Sequence, residues 1–334
     1  MGLFSGTAPY YARYRPGYPQ AFFDDVITRF ALNGTGRSLD LGCGTGQLTI
    51  PLAAHVEQAI GLDSDPDMLA EAAHQARASG ARNLTWAQGD AADLAGELGR
   101  FRLVTMGRSF HWMDRERVLQ ALAGVVEDVG GLVIANDGCM ALAAASWQAV
   151  IEEVQHRYLP PSSYPSQSPS ASPGSGPSPS PSPSPGPSPG PSPGPSPSLG
   201  RGPGSGSDSR PRTPDEPQSD DGRRRAAEPQ SARESRTSAG RQAVAGQPPE
   251  SHEALLARSA FRDVTPVVHE FERTWTVDRI IGYLYSTSLP LRRLLGDRRP
   301  AFERDLTTAL LTAVPTGRFT EPVALKVLIA RRLP

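Results

Sequence analysis

Asp40, Gly42, Gly44 and Gly46 carry the first chemical signal in this chain, inside the run Ser38-Leu39-Asp40-Leu41-Gly42-Cys43-Gly44-Thr45-Gly46-Gln47. An apolar stretch, an acid and three alternating glycines read as a short strand entering a glycine-rich turn that opens a helix. Such a corner suits nucleotide-type ligands, because glycine admits positive φ and lets a ligand lie close against the backbone. The spacing narrows the choice. A dinucleotide fingerprint, G-x-G-x-x-G/A, needs a small residue at position 47, whereas this chain has Gln47 and places its third glycine one residue earlier. A second acid, Asp63, ends the apolar run 58–63, where a carboxylate can accept both hydroxyls of a ribose. A third, Asp90, lies at the end of the run 83–91, which closes on Gly89-Asp90-Ala91. His111, just beyond the apolar run 101–106, is the candidate general base for an acceptor that must lose a proton; its competing roles are substrate hydrogen bonding and packing beside Trp112.

These residues need a frame that brings strand ends together. Short apolar runs at 58–63, 83–91, 101–106 and 130–136 alternate with helical stretches, which calls for a parallel sheet covered by helices. The Ser64-Asp65-Pro66 start supplies capping residues and a proline where a first helical turn tolerates one. Ligands of such sheets sit beyond the C-terminal strand ends, where Asp40, Asp63 and Asp90 all fall. Further on, 261–271 reads as a strand, 276–295 and 299–313 as helices and 319–330 as a last strand. Between the halves, residues 161–250 are dominated by Ser-Pro, Gly-Pro and Ser-Gly runs followed by mixed Arg and acidic residues. They lack the apolar content to offset ordering entropy, so disorder with polyproline character is expected. Lengthening a surface loop costs only about 0.6 kcal/mol per doubling, so the insert reads as a tolerated passenger, with Pro-rich protein recognition the lesser alternative. The expected domains are one catalytic unit in two parts, 1–160 and 251–334, around the insert 161–250.

From Tyr10 to Asn136 the chain resembles the class I S-adenosylmethionine (SAM)-dependent methyltransferases, and is most similar to their small-molecule, trans-aconitate methyltransferase-like branch. The glycine turn fits that superfamily's D/E-x-G-x-G-x-G. Tyr11 to Pro19 resembles the branch's Y-x-x-x-R-P-x-Y-P segment, Gly61-Leu62-Asp63 through Met68-Leu69 its ribose and adenine motif, and Ser109 to Asp114 its motif after strand four. The resemblance implies a doubly wound, seven-stranded, mostly parallel Rossmann-like α/β sheet ending in two added strands, one antiparallel, with helices between them forming a substrate cap. It implies SAM as cofactor, S-adenosylhomocysteine as product and no metal. Gly42, Gly44 and Gly46 would pass the methionine moiety, while Asp40 would order the turn or meet the SAM amino group. Asp63 would hold the ribose, Met68 would pack on adenine, and Asp90 with the Ala91 amide would meet the adenine edge. On the substrate side, Tyr14, Arg15, Arg108, Trp112, Tyr283 and Tyr285 are candidate pocket residues, Arg15 and Arg108 for a substrate carboxylate.

Composition excludes other classes. With 34 Lys+Arg against 35 Asp+Glu, and Lys326 the sole lysine, there is no strongly basic face for nucleic acid. No Asn/Asp-Pro-Pro-Tyr motif follows strand four, where methyltransferases of base amines or glutamine amides often carry one. A small-molecule substrate is therefore expected, without nucleic acid or membrane partners. Cys43 and Cys139 suggest no disulfide framework, and the six histidines show no zinc-finger spacing. No run of 18 apolar residues or signal peptide is evident, so the expected location is the cytoplasm. The rival readings are a nicotinamide-dependent oxidoreductase, disfavoured by Gln47, and a non-catalytic SAM-binding or interaction protein.

Overall fold

The structure is a computed structural model in which residues 7–94, 98–138, 146–159, 250–287, 289 and 291–332 are described. Seven strands form one sheet in the order β3-β2-β1-β4-β5-β7-β6. Strands β1 (Arg37–Leu41), β2 (Gln58–Asp63), β3 (Leu84–Gln88), β4 (Phe101–Gly107) and β5 (Val126–Asn136) run parallel. β6 (Asp263–Thr276) and β7 (Arg318–Arg331) complete the sheet, with β7 antiparallel to both neighbours. The two added strands, one of them antiparallel, are as expected, and the sheet takes strands from both sides of the insert.

Sequence explains this order locally. β1, β2 and β4 are buried along nearly their whole length, as parallel strands covered on both faces must be. β7 alternates exposed and buried over its first half, the signature of a strand with one solvated face. One face carries Leu39, Leu41, Val104, Met106 and Ile134 against α5 (Arg115–Val125) and α7 (His252–Ala257). The other packs Leu103, Val133 and Ala135 against α2 (Gln20–Arg29) and α3 (Thr49–Ala53). α4 (Pro66–Ser79) follows β2: the Asp65 side chain accepts from the Asp67 and Met68 amides, Pro66 opens the first turn and left-handed Gly80 ends the helix, a full set of start and stop signals.

A third apolar cluster builds the cap. It joins α6 (Ser146–Tyr158), α8 (Val277–Tyr285), α9 (Leu291–Leu295) and α10 (Arg299–Ala313) around Trp275, Phe302 and Phe319. α1 (Ala8–Tyr14) docks on α8, where the Tyr14 ring lies so close to Gly282 that a Cβ there would stand 2.2 Å from it. The single helix expected over 276–295 is two, α8 and α9, with Ser286, Thr287 and Leu289 non-helical between them; Pro290, which lacks an amide donor, is the sequence reason. The third strand stops at Gln88, short of the expected 91, because Asp90 closes a local turn onto the Ala92 amide at 2.8 Å. The insert expected at 161–250 lies outside the described residues apart from Glu250, and Cys139 lies outside them too. No helix among the described residues is long and apolar enough to cross a membrane.

Candidate functional site

The glycine turn sits where β1 ends and α3 begins. Gly42 and Gly46 have φ of +65° and +84°, a region that costs any residue with a Cβ. Close packing adds to this: a Cβ on Gly42 would lie 2.6 Å from that of Ser109, and one on Gly46 would lie 2.9 Å from both Ile50 and Trp86. Asp40 lies beneath the turn, 4% exposed, and its carboxylate takes hydroxyl donors from Thr49 at 2.6 Å and Thr105 at 2.8 Å. It therefore ties β1 to α3 and β4. Burial raises its pKa to about 6, against the opposing pull of the two hydroxyls.

Asp63 closes the turn from β2. Its Oδ2 accepts the Gly44 amide at 2.8 Å and its Oδ1 the Asp65 amide at 2.9 Å. Burial raises its pKa while the amide donors resist. Each carboxylate oxygen keeps a further lone pair for a ligand hydroxyl. Asp90 is exposed at the end of the neighbouring strand, Ala91 beside it is buried, and Met68 is buried in the first turn of α4. Asp40, Asp63 and Asp90 thus stand at the C-terminal ends of β1, β2 and β3, as the sequence requires.

Across the turn opens a cavity of about 330 Å³. Arg15, Arg108, His111, Trp112 and Tyr283, all singled out in the sequence, line it together. Tyr14 does not: it packs α1 on α8, with its hydroxyl 3.4 Å from Asp278. Tyr285 is likewise core, 4% exposed and bonded to Glu303 at 2.9 Å. Sequence reasoning missed Tyr11, Asn136, Asp137, Gly138 and Thr287. Two signals could have found the first four. Tyr11 lies one helical turn before Arg15, so both share a face, and residues 136–138 follow the fifth strand as the other acids follow theirs.

Arg108 is not the free cation its position suggested. Its guanidinium is 5% exposed and forked onto Asp137, with Nη2 donating to Oδ2 at 3.0 Å, while Nη1 donates to the Pro16 carbonyl at 2.8 Å. Asp137 also accepts from Arg273 at 2.7 Å, and Arg273 and Trp275 donate to Glu321 at 3.1 and 2.8 Å. Burial pushes the Asp137 carboxyl up, but the two guanidinium groups outweigh it and hold the pKa below the ordinary carboxylate value. Arg108 itself has φ +57°, a strained backbone for a non-glycine residue, fixed by this network and by its amide on the Ala135 carbonyl at 2.8 Å. It holds the Arg15-Pro16 segment in place.

His111 stands in a short 3-10 turn, Phe110–Trp112, anchored by buried Phe110 and by the Ser109 hydroxyl on the Leu41 carbonyl at 2.7 Å. Its ring is 5.0 Å from that of Trp112, which is 61% exposed at the mouth. Partial desolvation, then the neighbouring His252 and Arg15, lower its pKa from the ordinary histidine value, which favours the neutral imidazole. Among the described residues, no group of three or more His, Cys, Asp or Glu could hold a metal ion.

Residues 39–130 match the family model described as a methyltransferase domain. Curated relatives include the trans-aconitate 2-methyltransferase of Deinococcus radiodurans, 40% identical over 87 residues, 25% of this chain and 31% of that protein. Another is the 23S rRNA (uracil(1939)-C(5))-methyltransferase RlmD of Shewanella sp., 45% identical over 62 residues, 18% of this chain and 14% of that protein. The chain thus spans less than a third of the length of either. Among solved structures, a SAM-dependent methyltransferase from Clostridium acetobutylicum is similar with a TM-score of 0.35 and 23% identity, over 41% of this chain and 58% of that one. The stretch 39–130, which holds the glycine turn and the strand-end acids Asp40, Asp63 and Asp90, is thus similar to a methyltransferase domain.

Proposed function

We propose that this protein transfers a methyl group from SAM to an O, N or C atom of a small-molecule metabolite. The observation that carries this reading is the junction between turn and cavity. The Tyr11 ring lines the cavity and also covers Gly44, where a Cβ would meet it at 3.5 Å. A ligand on the turn and a molecule in the cavity would therefore be neighbours.

The residues fit SAM. Gly44 admits only the Tyr11 ring over its backbone, and carboxylates at the strand ends suit a ligand bearing a ribose, an amino group and a sulfonium cation. Asp63 would hold the ribose, Asp90 and Ala91 the adenine edge, and the Gly42–Gly46 backbone the methionine portion; Asp40 orders the turn from below. When bound, SAM supplies an electrophilic methyl whose carbon–sulfur bond breaks, leaving its electron pair on sulfur, as the acceptor lone pair bonds to carbon. The chain's own residues must position the acceptor, exclude water and remove any acceptor proton. Positioning alone supplies about 7–11 kcal/mol in well-oriented reactions. α1 and the cap helices exclude water, and neutral His111 takes the proton of a hydroxyl or amine acceptor. A cavity near 330 Å³ lies at the small end of metabolite sites, and 34 Lys+Arg against 35 Asp+Glu leave no net positive charge for a phosphate backbone.

The test supplies purified protein and methyl-tritiated SAM to a low-molecular-weight cell extract and, separately, to total RNA. Label is expected in the small-molecule fraction. Label in RNA alone would overturn the substrate class, and label in neither would overturn the activity.

A further inference from the structure

Resting on that reading, we infer that the cavity selects an anionic substrate and that Arg15 alone is its anchor, the acceptor atom being a separate group facing His111. A residue before proline is excluded from helical backbone, so Pro16 ends α1 and holds Arg15 extended at φ −68°, ψ 124°. The Arg15 amide stays on the Tyr11 carbonyl at 3.0 Å and its own carbonyl accepts from Gln47 Nε2 at 3.2 Å. Its backbone is thereby fixed between α1 and the glycine-turn helix, and Arg108 fixes the next residue through the Pro16 carbonyl.

The side chain so placed is flanked by two rings: Cζ lies 5.3 Å from the centroid of Tyr11 and 5.1 Å from that of Tyr283. Its Nε is buried without a hydrogen-bond partner, and no carboxylate among the described residues pairs with the guanidinium. That contrasts with Arg108, in the same cavity, whose charge Asp137 already offsets. Ring contacts do not satisfy the N–H donors of a guanidinium, and those donors match a planar two-oxygen anion. A buried donor with no partner is costly, so an arginine held this way is prepared for a ligand. A carboxylate held by Arg15 is a weakened nucleophile, because the guanidinium draws on its negative charge. The methylated atom is then elsewhere on the substrate, where His111 at the mouth can take its proton.

The test uses the full chain saturated with S-adenosylhomocysteine, titrated with benzoate and with its neutral isostere benzamide, both small enough for the aromatic-walled cavity. Benzoate is expected to bind at least about tenfold more tightly, the range of one charge-assisted contact. Arg15→Gln should erase the preference and Arg15→Lys should restore part of it. Benzoate bound to the wild-type protein should also raise the His111 pKa, followed by NMR, as the Arg15 charge is offset. Equal binding of the two probes, no benzoate binding, or a preference that survives Arg15→Gln would overturn the inference. Failure of S-adenosylhomocysteine to bind would be seen in the saturation step, and would overturn the proposed function instead.

Discussion

Removing one charge from the buried ion cluster behind the cavity should unfold the protein far more readily than an ordinary substitution does. Arg108 and Arg273, 5% and 6% exposed, are balanced by Asp137 and Glu321, 0% and 4% exposed. Asp137 touches both arginines and is the centre of the cluster. Asp137→Asn keeps the shape and some hydrogen bonds but leaves a net buried positive charge. Breaking a buried pair in this way costs about 3–5 kcal/mol, a large part of the 5–15 kcal/mol that domains have in total. At about 2–4 °C per kcal/mol for a domain of this size, the midpoint should fall by roughly 6–20 °C. The assay is thermal unfolding by circular dichroism or calorimetry at pH 7. Glu321→Gln, which leaves Arg273 on Asp137, should lose less. The pH dependence follows from the sign of the shift. Because the Asp137 pKa is depressed on folding, its contribution is present above its ordinary value of 3.8 and is lost as pH falls through the lower folded value. A midpoint for Asp137→Asn within 2 °C of the wild type would refute the claim that this cluster holds the cavity floor.

Other expectations follow from the same geometry. Asp40 has a folded pKa near 6 against an ordinary 3.8, so its ionisation opposes folding by about 3 kcal/mol once pH has risen through 6. Asp40→Asn should therefore gain relative to the wild type between pH 4 and 7.5 in denaturant titrations, and a constant difference would contradict the buried-carboxyl reading. If His111 is the base, His111→Gln should lower kcat about 10²–10⁴-fold with little change in S-adenosylhomocysteine affinity. The acid limb of wild-type kcat/KM should then lie below pH 6.5; an unchanged kcat would remove the base assignment. Gly282→Ala should push the Tyr14 ring off α8, raising KM and loosening α1 to proteolysis, since the new Cβ would meet that ring at 2.2 Å. Unaltered KM and cleavage would show that α1 is not part of the lid.

The cofactor half of the site was legible in the sequence because its requirements are local. Alternating glycines at 42, 44 and 46 answer to φ and to close packing, and an acid at the end of each of three strands needs only the strand boundaries. The substrate half was less legible because it depends on distant pairing. Nothing near Arg108 in sequence says that Asp137 will take up its charge, or that Tyr14 will be consumed by Gly282 while Tyr11 enters the cavity. Tyr285 reads like Tyr283 until α8 shows that its hydroxyl donates to the Glu303 carboxylate. The cap helix α6 carries apolar residues that join a cluster with residues of β6, α8, α9, α10 and β7, all beyond the insert in sequence, so it escaped a local reading.

Calorimetric titration of the purified chain with SAM and with S-adenosylhomocysteine, with NADH as control, tests the central claim most directly. Micromolar-range binding of both sulfur ligands and none of NADH is the expected result. NADH binding, or no heat from either sulfur ligand, would contradict the assignment of the glycine turn and the strand-end acids to SAM.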